Sequence, residues 1–195
     1  MNLKSSISRT SFCPLLGLLV GSLVFILAPQ AHAQSNSKFE VGADYNYVRS
    51  NAPPGGCTCF SLNGGDASVA YHFDSAFAAV AEISSVHASN ISGSGADLTL
   101  TSYLFGPRYY WHNHTKFTPF GQVLLGGAHA GTSLAGVSSD ANAFAAKIGG
   151  GVDYALTHRF SLRPFEANYY LTHFANGTND HQNNLQLGAG LVFHF

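Results

Sequence analysis

A chain of 195 residues with 9 Lys and Arg against 10 Asp and Glu carries a formal charge of −1, and only 10% of it is charged. That is far below the roughly 25% of an ordinary soluble domain, and no basic patch is available for a nucleic-acid partner. Aromatic residues make up 13% of the chain and glycine occurs 21 times, which favours strands and tight turns over helices.

The first element is a leader. Lys4 and Arg9 form a positive n-region, Phe12 to Ala28 is mostly apolar, and Ala31-His32-Ala33 is a small-x-small cleavage site before Gln34. Residues 1–33 are therefore predicted to be a cleaved signal peptide, and 34–195 the mature domain. Cys13 lies inside the apolar run and not after a lipobox, so a lipoprotein is not expected. Loss of Lys4 and Arg9 leaves seven basic against ten acidic residues, a net of −3. No run of about 18 apolar residues follows residue 33, so no membrane helix is available. A sheet within lipid must close on itself, because every backbone donor and acceptor there needs a partner.

Period-two alternation then predicts eight strands, roughly Phe39–Val48, Ala67–Phe73, Phe77–Val86, Leu98–Trp111, Phe117–Gly131, Ala143–Leu156, Phe160–Thr172 and Asn184–Phe195. Most reach the ~9–11 residues that a tilted strand needs to cross the hydrocarbon. The second is short and is expected to start earlier, near Leu62. Asp74-Ser75, His112–Thr115 and Thr157-His158 read as tight turns. Arg49 to about Gly64, His87–Asp97, Thr132–Asn142 and His173–Asn183 read as long polar loops. Short turns opposite long loops are the habit of an up-and-down membrane barrel. The predicted fold is thus all-β, an eight-stranded antiparallel up-and-down transmembrane β-barrel with both termini and the short turns in the periplasm.

The two faces of each strand carry different chemistry. Phe39, Val41, Ala43, Tyr45 and Tyr47 oppose Glu40, Gly42, Asp44 and Asn46. Tyr103, Phe105, Tyr109 and Trp111 oppose Ser102, Gly106, Arg108 and Tyr110. The seventh strand breaks this parity unless a β-bulge at Pro164 shifts its phase, since a bulge tolerates the missing N–H. The inner face then holds Glu40, Asp44, Glu82, Arg108, Lys147, Asp153, Arg163 and Glu166, which are predicted to form an ion-pair network. On the lipid face, Arg or Lys near the midplane would cost about 2–4 kcal/mol each. Eight strands enclose only enough space for side chains to fill, although the inner glycines (Gly42, Gly106, Gly149, Gly151, Gly188 and Gly190) are expected to leave room for water.

Other constellations carry weaker chemistry. Cys57-Thr58-Cys59 lies in the first long loop of an oxidising compartment and could form a strained, labile disulfide, or join a histidine such as His87 on a metal. His112-Asn113-His114 offers two turn histidines without a third ligand. His72 and His194 face inward and are expected to join the lumen hydrogen bonds. No metal site and no cofactor are expected. A lipid-A deacylase would need a Ser/His pair near the outer rim with a carboxylate to orient it. His173 stands at that rim, but no serine lies close in sequence.

Three stretches carry a resemblance: Leu104-Phe105-Gly106-Pro107-Arg108-Tyr109, Phe120-Gly121-Gln122 with Leu125-Gly126-Gly127, and the closing Gly188-Ala189-Gly190-Leu191-Val192-Phe193-His194-Phe195. With Arg163 to Thr172 they resemble the small eight-stranded outer-membrane barrels, the OmpA-transmembrane-like or opacity-type porin family. The resemblance covers Phe39 to Phe195. It implies an outer-membrane location with lipid and lipopolysaccharide as surroundings, and the barrel-assembly machinery as partner, with Phe195 as the assembly signal. A fold of this kind implies no activity by itself. The expected function is envelope integrity or surface interaction by a monomer with a mostly plugged lumen, with a possible external ligand on its long loops and no enzyme activity. A narrow porin-like channel is the alternative, and a lipid-A-modifying enzyme the third reading.

Overall fold

The computed structural model describes residues 38–50, 59–91, 95–112, 115–134, 136–174 and 181–195. The predicted leader, Cys57, Asn113 and His114 fall outside them. Eight strands follow in order: β1 Phe39–Ser50, β2 Phe60–His72, β3 Phe77–Ala88, β4 Asp97–Tyr110, β5 Phe117–Leu134, β6 Val137–Ala155, β7 Phe160–His173 and β8 Gln182–His194. Each pairs antiparallel with its sequence neighbour, and β1 pairs with β8, so the sheet closes into a barrel. Closure leaves no edge in the wall and satisfies the backbone internally. The strands are 12 to 19 residues long, enough to cross a bilayer and stand proud of it.

The second strand starts at Phe60, close to the earlier start expected near Leu62. The predicted long loop Thr132–Asn142 is strand instead: β5 and β6 form a ladder out to Leu134↔Val137 with only residues 135–136 between them. Its Ser-, Gly- and Asn-rich composition reads as loop, but hairpin pairing from the barrel wall carries the extended conformation onward. The seventh strand carries its extra residue where parity demands it. Register shifts lie between Arg163 and Glu166 against β8, and between Val152 and Tyr154 against β6. Pro164 and Phe165 are consequently both exposed, and Arg163 and Glu166 both point inward.

Outside, the barrel is apolar. Tyr45, Phe77, Ile83, Tyr103, Phe105, Trp111, Ile148 and Leu191 are all exposed. Near the short-turn end, aromatic rings meet across strands, as in Phe39 with Tyr71 at 5.1 Å, Phe77 with Tyr109 at 4.8 Å, and Phe160 with Phe193 at 4.7 Å. Such a girdle suits a membrane–water interface. Phe195 continues it, packing edge-on against Phe193 at 4.5 Å, while its N–H donates to the Phe39 carbonyl at 2.9 Å. The closing residue therefore completes the β1–β8 seam.

Two of the inner glycines sit close to polar neighbours: a Cβ on Gly42 would come within 2.7 Å of Ser68 Oγ, and one on Gly188 within 2.9 Å of Asn46 Oδ1.

Candidate functional site

All eight predicted inner charges are buried: Glu40, Asp44, Glu82, Arg108, Lys147, Asp153, Arg163 and Glu166. The strands place them as two groups. In the first, Arg163 is the hub. Its Nε and Nη2 donate to the two oxygens of Asp153 at 2.8 and 3.1 Å, a bidentate fork. Its Nη1 donates to Asp44 Oδ2 and Glu166 Oε2, each at 3.2 Å, and its Nη2 lies 3.5 Å from Glu40. The β7 bulge is what puts Arg163 and Glu166 on one face, three residues apart.

Arg108 serves the other side of Glu40. Its Nη1 donates to Glu40 Oε1 at 3.2 Å and its Nε to Gln122 Oε1 at 2.9 Å. Gln122 passes the network on, its Nε2 donating to Glu166 Oε1 at 2.9 Å. Phe120 is close to both cations, its ring 4.6 Å from the Arg108 guanidinium carbon and 4.5 Å from that of Arg163, and attracts both. Glu40 also accepts from Tyr110 at 3.0 Å and contacts His72 Nε2 at 3.2 Å, while His194 Nδ1 is 3.8 Å away. His72 and His194 therefore join the lumen network as expected from their inward parity.

The second group is the Lys147–Glu82 pair, with Lys147 also 5.0 Å from the Tyr170 ring. Asp66 joins the inner face beside it, accepting from Asn46 Nδ2. The sequence reading omitted Asp66 because it counted β2 from Ala67. Tyr110, Phe120, Gln122 and Asn168 were also missed as network members. Inward parity was the available signal for each.

Toward the long-loop end, the inner face mixes apolar side chains with uncharged polar ones such as Ser50, Asn184 and Gln186. Val48, Leu62, Val86, Leu100, Leu104, Leu124 and Ala128 form a buried apolar cluster, and Phe60, Ile91, Leu98, Ala130 and Phe174 pack against it. A cavity of about 400 Å³ opens instead at the short-turn end, where Lys38, Glu40, His72, His112, Ser161 and His194 are among its lining residues. Ser161 Oγ meets His194 Nε2 there at 3.0 Å. Among the described residues, no group of three or more His, Cys, Asp or Glu is suited to hold a metal. Cys59 is exposed just before β2.

A closed eight-stranded barrel, apolar outside and charged within, is a membrane-spanning barrel. The chain belongs to the family described as the outer membrane protein beta-barrel domain, which matches residues 17–193. Its place is the bacterial outer membrane. Among solved structures it is similar to Neisserial surface protein A, with 18% identity, a TM-score of 0.65, and coverage of 83% of this chain and 100% of that one. It is also similar to Ail, the attachment invasion locus protein of Yersinia pestis, with 18% identity, a TM-score of 0.52, and coverage of 80% and 99%. A further Ail structure, in complex with the heparin analogue sucrose octasulfate, gives 18% identity, a TM-score of 0.50, and coverage of 80% and 99%. At these identities the likeness is one of fold. No curated protein matches the chain in sequence.

Proposed function

We propose that this protein is a plugged, monomeric barrel that serves envelope integrity and surface interaction, with its long-loop end facing outward and its termini in the periplasm. In this reading residues 1–33 are removed as a signal peptide, the barrel-assembly machinery inserts the domain, and Phe195 is part of the signal it reads. Surrounding partners are outer-membrane lipid and lipopolysaccharide.

The observation that supports the plugged reading is that buried side chains meet across the lumen at two levels. The Arg163–Arg108–Glu40 cluster crosses it toward one end and the Leu62–Leu124 apolar cluster toward the other. The loops supply the surface role, but not as a site for a sulfated polyanion such as the one bound to Ail. Among the described residues, the exposed charges at the long-loop end are Arg49 against Asp97 and Asp140, a balance that repels polyanions.

The reading assigns Ser161 and His194 to the lumen network rather than to catalysis. Glu40 lies 3.8 Å from His194 Nδ1, too long for an orienting hydrogen bond, and is already engaged by Arg108 and Tyr110.

Planar-bilayer recordings of the purified barrel test this function. We expect no reproducible conductance from the wild type or from Arg108→Ala, and lower stability for the variant. Discrete single-channel steps in the wild type, with altered selectivity in a stably folded Arg108→Ala, would replace the plug with a narrow channel entered through the short-turn cavity.

A further inference from the structure

The loop ends of β7 and β8 carry a pair of side chains that the lumen network does not use. The β7–β8 ladder ends at Thr172↔Gln182. One step further out, His173 and His181 stand opposite each other, both exposed. Their ring centroids are 4.4 Å apart and the rings are inclined at 65°. They are not stacked; they meet edge-on, with Nδ1 facing Nδ1 at 2.9 Å.

We propose that His173 and His181 form a two-histidine metal site on the outer wall, suited to copper(II) ahead of nickel(II) and zinc. Two imidazoles can share this contact as a hydrogen bond only if one Nδ1 carries a proton and the other does not. A divalent cation takes both lone pairs at once, since neutral imidazole nitrogen is its common protein ligand. The 2.9 Å separation is that of a shared N–H···N hydrogen bond, so a metal would replace the bridging proton, and copper(II) binds such ligands most tightly of the first-row divalent ions.

The pair is also held in place. Gln182 Oε1 accepts from the Phe174 N–H at 2.9 Å and from Thr172 Oγ1 at 3.3 Å, and its Nε2 donates to the Phe174 carbonyl at 3.1 Å. These bonds fix the backbone on both sides of His173 against the residue that follows His181. Ligands whose supports are already ordered lose less entropy on binding. Among the described residues no larger His, Cys, Asp or Glu cluster forms a complete cage. Exchangeable oxygen donors then fill the other positions, and micromolar affinity is expected.

The test is copper(II) titration of the full barrel in detergent with its cysteines alkylated, followed by calorimetry and electron paramagnetic resonance. The wild type is expected to bind copper at micromolar concentration with a two-nitrogen hyperfine pattern, nickel less tightly, and zinc least. His173→Ala and His181→Ala should each raise the copper Kd at least tenfold and remove one nitrogen, while migrating as folded barrels on unheated gels. The double variant His87→Ala/His129→Ala, which removes two other exposed histidines, should bind as the wild type does. Unchanged binding in either single variant, an equal loss in the double variant, or no copper uptake at micromolar concentration would overturn the site. Zinc binding as tight as copper would overturn the preference for copper(II).

Discussion

The two ends of the lumen are lined by the same inward positions of the same eight strands, yet they are built in opposite ways. Toward the short turns, Arg163 and Arg108 hold Glu40, Asp44, Asp153 and Glu166. Toward the long loops, Leu62, Val48 and Leu100 pack against one another with Phe60 and Phe174. The first arrangement depends on every partner being present, because removing one leaves a buried charge unpaired. The second is tolerant, since losing one side chain costs only its own contacts. A period-two pattern selects a face but does not select between these two ways of filling it.

Arg163→Ala should give the largest effect and would break the comparison if it did not. It leaves Asp153, Asp44 and Glu166 without their shared cation, at a cost of about 3–5 kcal/mol. Denaturant unfolding in detergent should show that loss. Arg163→Lys should recover only part of it, because an ammonium cannot reproduce the bidentate fork on Asp153.

Leu62→Ala, at a residue 1% exposed, should cost about 2–3 kcal/mol through lost transfer and cavity terms. Its deficit should be insensitive to salt and pH, whereas the Arg163→Ala deficit should shrink as acid neutralises the stranded carboxylates. Equal pH dependence in the two variants would erase the distinction between the ends.

Phe195 sharpens a different contrast, between packing and signalling. Deleting it should lower the barrel yield in the outer membrane several-fold while the purified protein loses little stability, because the residue is half exposed at the seam. Normal yield would make Phe195 a packing residue only.

Asp74 should give the smallest effect. It lies in the short turn after β2, outside the wall, and accepts the N–H groups of Ala76 and Phe77 at 2.7 and 2.8 Å. Those bonds, Phe77 first and then Ala76, hold its carboxyl below the usual carboxylate range. A lowered folded value means the stabilisation is full above the unfolded carboxyl's ordinary pKa and disappears as pH falls through the folded one. Asp74→Ala should therefore be slightly less stable near neutral pH and indistinguishable from the wild type in strong acid. A deficit that persists in acid would show that the turn depends on packing instead.

Much of the barrel was legible in the sequence because lipid and lumen impose opposite chemistry on alternate residues. Phe39 to Tyr47 against Glu40 to Asn46 states both the strand and its faces. The β7 bulge was legible for the same reason: Arg163 and Glu166 share the inner face only if one residue is extra. The β5–β6 hairpin was not, since Thr132–Asn142 has loop composition and its strand character comes from ladder pairing. Asp66 was hidden by a strand boundary, and the apolar half of the lumen by attention to charge.

The chain by itself determined the alternation, the number of strands and the burial of eight charges, because each depends only on local period and on the cost of charge in lipid. Tertiary structure alone decided which acid meets which base, that the Phe120 ring meets two guanidinium groups, and that His173 faces His181. Those contacts are fixed by register and closure, and a one-residue slip in either would re-pair every one of them.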